Sequence, residues 1–132
     1  MQITQETLDT LTSQAKASER LRQSMDLRTS SEDQSQRILN AVEPGTIVPI
    51  HRHRSTSETV VLVRGRLIER FYDEAGKITA EVLMEVGGNC PVLQVPAGQW
   101  HSIEVLDAGT VILEAKDGPY TPLSPEDVLQ CG

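Results

Sequence analysis

The chain has 132 residues, the size of one ordinary domain, and 38% of them are apolar, enough to bury a core. Its 12 basic and 19 acidic residues leave a net charge of −7, which repels a phosphate backbone. One Phe, one Trp and two Tyr are too few aromatic faces for a platform that stacks single-stranded bases, so a nucleic-acid partner is not expected.

Residues 1–30 carry four acids (Glu6, Asp9, Glu19, Asp26) and four bases (Lys16, Arg20, Arg22, Arg28), so the entire negative charge sits in the remainder of the chain. No apolar stretch approaches the roughly 18 residues of a membrane span, and the start lacks the basic-then-apolar order of a secretion signal. A cytoplasmic protein with no membrane contact is expected. Cys90 and Cys131 do not make a disulfide framework, and both are expected to be reduced, with Cys90 in a structural role.

In chain order, the first element is a helix. Thr4 is its N-cap, Glu6 lies in the first turn, Leu8, Leu11 and Ala15 recur at helical spacing, and Ile3 is placed to staple onto Leu8. The helix should end near Ser18. From Arg20 to Gln36 the composition turns polar, with Leu21, Met25 and Leu27 as isolated apolar anchors, which predicts a loop lying over the body. Residues 1–35 are thus a helix and covering loop, residues 36–118 a β barrel, and residues 119–132 a tail.

The barrel assignment rests on short Val-, Ile- and Leu-rich runs separated by turn residues, the pattern of an all-β sandwich or barrel. Strands are predicted over 36–42, 47–51, 58–64, 66–72, 78–86, 92–95, 101–106 and 110–116. Between them fall turn sequences such as Glu43-Pro44-Gly45, Arg64-Gly65-Arg66 and Pro96-Ala97-Gly98. In the tail, Ser124 before Pro125 predicts a last short helix through Leu129.

All three histidines lie in the β body. His51 and His53 are two apart, so on a strand they share a face and form a chelating pair. Glu58 opens the next apolar run, and His101 follows Pro96-Ala97-Gly98-Gln99-Trp100 at the start of another. Three imidazoles and a carboxylate suit one divalent transition metal, Fe, Mn, Ni or Zn, with positions left open for water or substrate; the lack of Cys ligands argues against a closed structural zinc. Arg52 and Arg54 alternate to the outer face and need no role beyond solubility. Trp100 and Phe71 are expected in the core or at its rim.

The order Gly45-x5-His51-x-His53-x4-Glu58-x6-Gly65, followed by Pro96-Ala97-Gly98-Gln99-Trp100-His101, resembles the two motifs of the cupin superfamily. Two features depart from the second motif: Gly88 lies eight residues before Pro96, out of register, and Glu104 stands where the motif ends in Asn. Residues 18–22, 36–46 and Asp117-Gly118-Pro119-Tyr120 extend the likeness, over most of the chain, to the WbuC family of cupin-fold metalloproteins. The resemblance implies a double-stranded β-helix, or jelly roll, with the N-terminal helix packed outside, and metal ligation by His51, His53, Glu58 and His101. It also implies small bacterial proteins encoded among surface-polysaccharide genes, and a homodimer.

For function, a metal-dependent isomerase or epimerase acting on a small sugar, sugar acid or nucleotide sugar would use Glu58 as its base. An Fe(II)-dependent dioxygenase and a non-catalytic metal-dependent sensor need the same ligands. Arg20, Arg22 and Arg37 stand out in an acidic protein; Arg22 and Arg37, with Asn40 beside them, are the candidate substrate-binding residues, since Arg holds carboxylate or phosphate bidentately.

Overall fold

The computed structural model describes residues 1–129. Helix α1 (Gln5–Ala17) leads into strands β1 (Arg22–Asp26), β2 (Ser35–Val42), β3 (Glu58–Arg64), β4 (Arg66–Tyr72), β5 (Ile78–Glu85), β6 (Val92–Val95), β7 (Trp100–Val105) and β8 (Thr110–Asp117). Two antiparallel sheets result, one in the order β1-β2-β8-β3-β6 and one in the order β5-β4-β7. This is the all-β jelly roll with an outer helix that the sequence predicts.

Helix α1 starts as expected. The Thr4 hydroxyl accepts the Thr7 backbone N–H, and Thr7 Oγ1 in turn accepts that of Thr4. Ile3 is exposed. Leu8, Leu11 and Ala15 pack on Leu39, Ala41 and Val111, which face outward from β2 and β8. The opposite, inward faces build a second core from Val60, Leu62, Leu67, Met84, Val95 and Ile112. Each such side chain, fully buried, contributes about 1.5–3 kcal/mol of transfer free energy. Because side chains alternate, β2 turns Leu39 and Ala41 to the helix and Gln36, Ile38, Asn40 and Val42 to the interior.

Three expectations are corrected. Residues 22–26, predicted as covering loop, form β1, paired with β2 from Arg22↔Val42 to Asp26↔Ile38. None of its five residues is fully buried and only Met25 packs on the helix-side core, so no apolar alternation is demanded, and Arg-Gln-Ser-Met-Asp shows none. Residues 47–51, predicted as a strand, are irregular apart from His51, which bridges both His101 and Val128; Pro49 removes a donor a ladder would need. At the tail, a single 3-10 turn (Pro125–Asp127) replaces the predicted helix, and the Ser124 hydroxyl bonds the Asp127 carboxylate, not the helix start.

Cys90 is a free thiol, half-buried, and Cys131 lies outside the described residues. No described helix is long and apolar enough to cross a membrane.

The turn between β3 and β4 depends on Gly65. Its φ is +82°, and a Cβ there would lie 2.2 Å from Thr110 Oγ1 and 2.8 Å from Thr110 Cα. Gly65→Ala should therefore lower the urea-unfolding free energy by about 3 kcal/mol, combining backbone strain with a clash against backbone. Gly76 has a similar φ of +81° and open space around it, so Gly76→Ala should cost about 1 kcal/mol. Equal losses at the two positions would contradict the close approach of β8 to this turn.

Candidate metal centre

His51 and His101 are tied to each other through the backbone. The His51 N–H donates to His101 O at 3.0 Å, and the His101 N–H donates to His51 O at 2.9 Å. This pair of bonds joins the irregular segment before β3 to the start of β7. The Gly98 N–H adds a bond to His53 O at 2.8 Å, so the Pro96-Ala97-Gly98 turn braces the third histidine.

The ring orientations follow from further backbone contacts. His51 Nδ1 lies 2.8 Å from Pro49 O, and His101 Nδ1 lies 3.0 Å from Gln99 O. A carbonyl can only accept, so each Nδ1 carries a proton, and in the neutral ring each Nε2 presents its lone pair. Burial, then the neighbouring His101, lowers the pKa of His51 to about 4, which keeps it neutral and ready to ligate near pH 7.

One ring nitrogen from each of His51, His53 and His101 lies within 4.8 Å of the others. Some point therefore lies within about 2.8 Å of all three (4.8/√3), against the roughly 2.0–2.1 Å of a metal–imidazole bond. Glu58 Oε2 is 3.2 Å from His53 Nε2 and 3.7 Å from His101 Nε2, and it is buried without a hydrogen-bond partner. Burial alone would raise the Glu58 pKa, but His101, His53, Glu114 and Lys116 together hold it well below the usual carboxylate range. An unpartnered anionic oxygen beside three imidazoles is a donor set that fits a divalent cation.

The centre sits in the wall of a cavity of about 560 Å³ between the sheets, a size suited to one small ligand. Arg20, Arg22 and Asn40 line it. Arg22 Nη1 donates to Ile47 O at 2.7 Å, and the Asn40 amide donates to Glu114 Oε1 at 2.6 Å. Arg37 does not belong to this group. It is an odd residue on a strand whose even residues face inward, and it pairs instead with Asp33 at 3.1 Å and donates to Leu27 O.

Arg52 and Arg54 also depart from the expected solvated role. Both donate to Asp127 Oδ1, at 3.0 and 2.7 Å, and Arg52 lies 4.5 Å above the ring of the buried Trp100. Bonds from Arg54, then Arg52 and Ser124, hold the Asp127 carboxyl at about 2. With the Arg52 N–H bonded to Asp127 O and the Leu129 N–H to Ile50 O, the tail is laced along the His51 segment. Phe71 packs at the edge of the inner core, as expected.

Two cavity carboxyls were not anticipated from the sequence. Glu69 on β4 and Glu114 on β8 both face inward. Burial, and then the charge of Glu58, raises each to about 8, so both hold protons near neutral pH while Glu58 does not. Strand parity marks both: Leu67-x-Glu69-x-Phe71 and Ile112-x-Glu114-x-Lys116 place an acid on an otherwise inward-facing row.

The chain belongs to the family described as Domain of unknown function (DUF6016), whose model matches residues 3–84. No curated protein matches the sequence. Similar solved structures include the capsular polysaccharide assembling protein CapF from Staphylococcus aureus, at 24% identity and TM-score 0.65, covering 80% of this chain and 30% of that one. KdgF from Halomonas sp. aligns at 11% identity and TM-score 0.60 over 75% of this chain and 82% of that one. Oxalate decarboxylase from Bacillus subtilis, which has Mn(II) centres, aligns at 21% and 0.59 over 83% of this chain and 27% of that one. The chain spans less than a third of the length of CapF and of the decarboxylase. At these identities the likeness is one of fold, the cupin jelly roll.

Protein purified without chelators should carry close to one equivalent of a first-row transition metal by elemental analysis, and His51→Ala combined with His53→Ala should remove it. The metal-free protein should keep its strand-dominated circular dichroism, because two apolar cores hold the fold independently of the centre. Metal retained by the double variant would contradict the assignment.

Proposed function

We propose that the protein is a metal-dependent enzyme of the WbuC type, acting on a small sugar, sugar acid or nucleotide sugar by isomerase- or epimerase-like proton transfer. The observation that carries this reading is the preset tautomer of His51 and His101. Their donors are spent on backbone carbonyls, and their lone pairs are left to a centre that opens on a cavity of about 560 Å³. His51, His53 and His101 would hold the ion, with Glu58 as fourth ligand or immediate neighbour. When bound, a divalent metal supplies Lewis acidity at an oxygen atom of the ligand.

The chain's own groups then divide the remaining tasks. Glu58, anionic and buried, is the proton acceptor when it is not itself a ligand. Arg20 and Arg22 bring positive charge to the cavity and favour an acidic ligand. Pro119, Tyr120 and Leu123 contribute the tail's side of the cavity and limit water access. CapF, one of the proteins of similar fold, is a capsular polysaccharide assembling protein, which supports the link to surface-polysaccharide metabolism. Exposed Ile78, Leu83, Val86 and Val92, on or beside the edge strands β5 and β6, support the homodimer, and we place it in the cytoplasm with 36–118 as its barrel.

The test is a binding and turnover screen of metal-loaded and metal-free protein against sugars, sugar acids and nucleotide sugars. Binding should require the metal, and Arg22→Ala should weaken acidic ligands about tenfold, the loss of one charge-assisted contact. Binding indifferent to the metal would overturn the reading. Metal-dependent binding without turnover under air or argon would assign a sensor, and oxygen uptake by the Fe(II) form would assign a dioxygenase.

A further inference from the structure

Most polar side chains around the cavity are already spent. The Gln36 amide donates to Gly118 O at 3.0 Å, the Asn40 amide to Glu114, the Ser102 hydroxyl to Val48 O at 2.6 Å, and Arg52 and Arg54 to Asp127. Two buried oxygens among the described cavity-lining residues have no hydrogen-bond partner, Glu58 Oε2 and Glu69 Oε1. The histidine cluster accounts for the first. It does not account for the second.

Glu69 belongs to the other sheet from Glu58 and is 1% exposed. Its register partner on β7 is Ile103, one inward-facing position beyond His101 and toward the apolar end where Leu67 pairs with Val105. Two residues along a strand span about 7 Å, so Glu69 stands roughly the length of an extended six-carbon chain from the histidine layer. A buried carboxyl with no partner lowers stability, and a leucine of similar size would remove that cost. At the wall of a cavity, such a group is placed to meet a ligand that supplies the missing partner.

We propose that Glu69 is the hydrogen-bonding residue by which the inner end of the cavity holds an oxygen atom of a small sugar or sugar acid whose other end lies at the histidine cluster. The role rests on the metal-centred reading of the cavity and adds to it a specificity-determining contact on the opposite wall. Burial raises the pKa of this carboxyl to about 8, and in its protonated form it offers one donor and one acceptor, the complement of a sugar hydroxyl.

The probes are D-galactose, D-galacturonate and UDP-D-galacturonate, titrated into Co(II)-loaded protein by calorimetry and followed in the visible Co(II) spectrum; the tightest of the three is carried forward. Glu69→Leu should weaken that probe by about tenfold or more, Glu69→Gln, which still donates, by no more than about threefold, and neither should change Co(II) affinity. Metal-free Glu69→Leu should melt a few degrees above the parent, because it removes an unsatisfied buried group. Unchanged probe binding in Glu69→Leu would overturn the role of Glu69 and leave the metal reading standing. So would a parallel loss of Co(II) affinity, or a lower melting temperature of the metal-free variant, which would make the carboxyl a structural group. Failure of the parent protein to bind Co(II) or any of the three probes would overturn the metal-centred reading and the Glu69 role with it.

Discussion

Two backbone hydrogen bonds between His51 and His101 are the constraint on which the site depends. His51 lies in a stretch that is otherwise irregular, and this bridge, with the Ser102 hydroxyl bonded to Val48 O, ties that stretch to β7. The same bridge sets the two rings 4.3 Å apart at their centroids, with His53 following on the next inward position. On its other side His51 pairs with Val128, so a segment near the end of the described chain completes a short three-layered patch of backbone around the ligands. Arg52 and Arg54, which stand between and beside the histidines in sequence, both pair with Asp127 of the tail.

The cavity carries its charge unevenly, and burial explains how it does so without unfolding. Three carboxyls face the cavity, Glu58 and Glu69 buried and Glu114 half-buried. Only Glu58 is stabilised as an anion, by the imidazoles and Lys116. Burial, and then the charge of Glu58, raise Glu69 and Glu114 to about 8, which sets them apart from Glu58. Glu114 satisfies its carboxyl through Asn40, while Glu69 has no such partner. The difference between these two acids is the physical basis for assigning one to the framework and the other to a ligand.

Much of this was legible in the sequence where burial imposes a pattern. The apolar runs at 58–64 and 66–72 set β3 and β4 to the residue, and the glycine between them is required by its contact with Thr110. The spacing of His51, His53 and Glu58 identified the cluster, although His51 and His53 converge without lying on a regular strand. What the sequence concealed lacked a buried face or depended on distant partners. Strand β1 is a polar edge, and the tail's role in lacing the His51 segment depends on a partner 75 residues away. Arg37 was misplaced for a different reason: Asn40 on the same strand has opposite parity, so only one of the two could face the cavity, and the inward row beginning at Gln36 chose Asn40. The same parity, applied to Leu67-x-Glu69-x-Phe71, would have found Glu69.

A bound ion would gather three imidazoles and a carboxylate around it. X-ray absorption at the edge of the bound metal reads that shell directly. The geometry predicts three imidazole rings, seen through their multiple scattering, with nitrogen and oxygen at about 2.0–2.2 Å and at least one exchangeable oxygen. Sulfur in the shell, or fewer than two imidazoles, would contradict it.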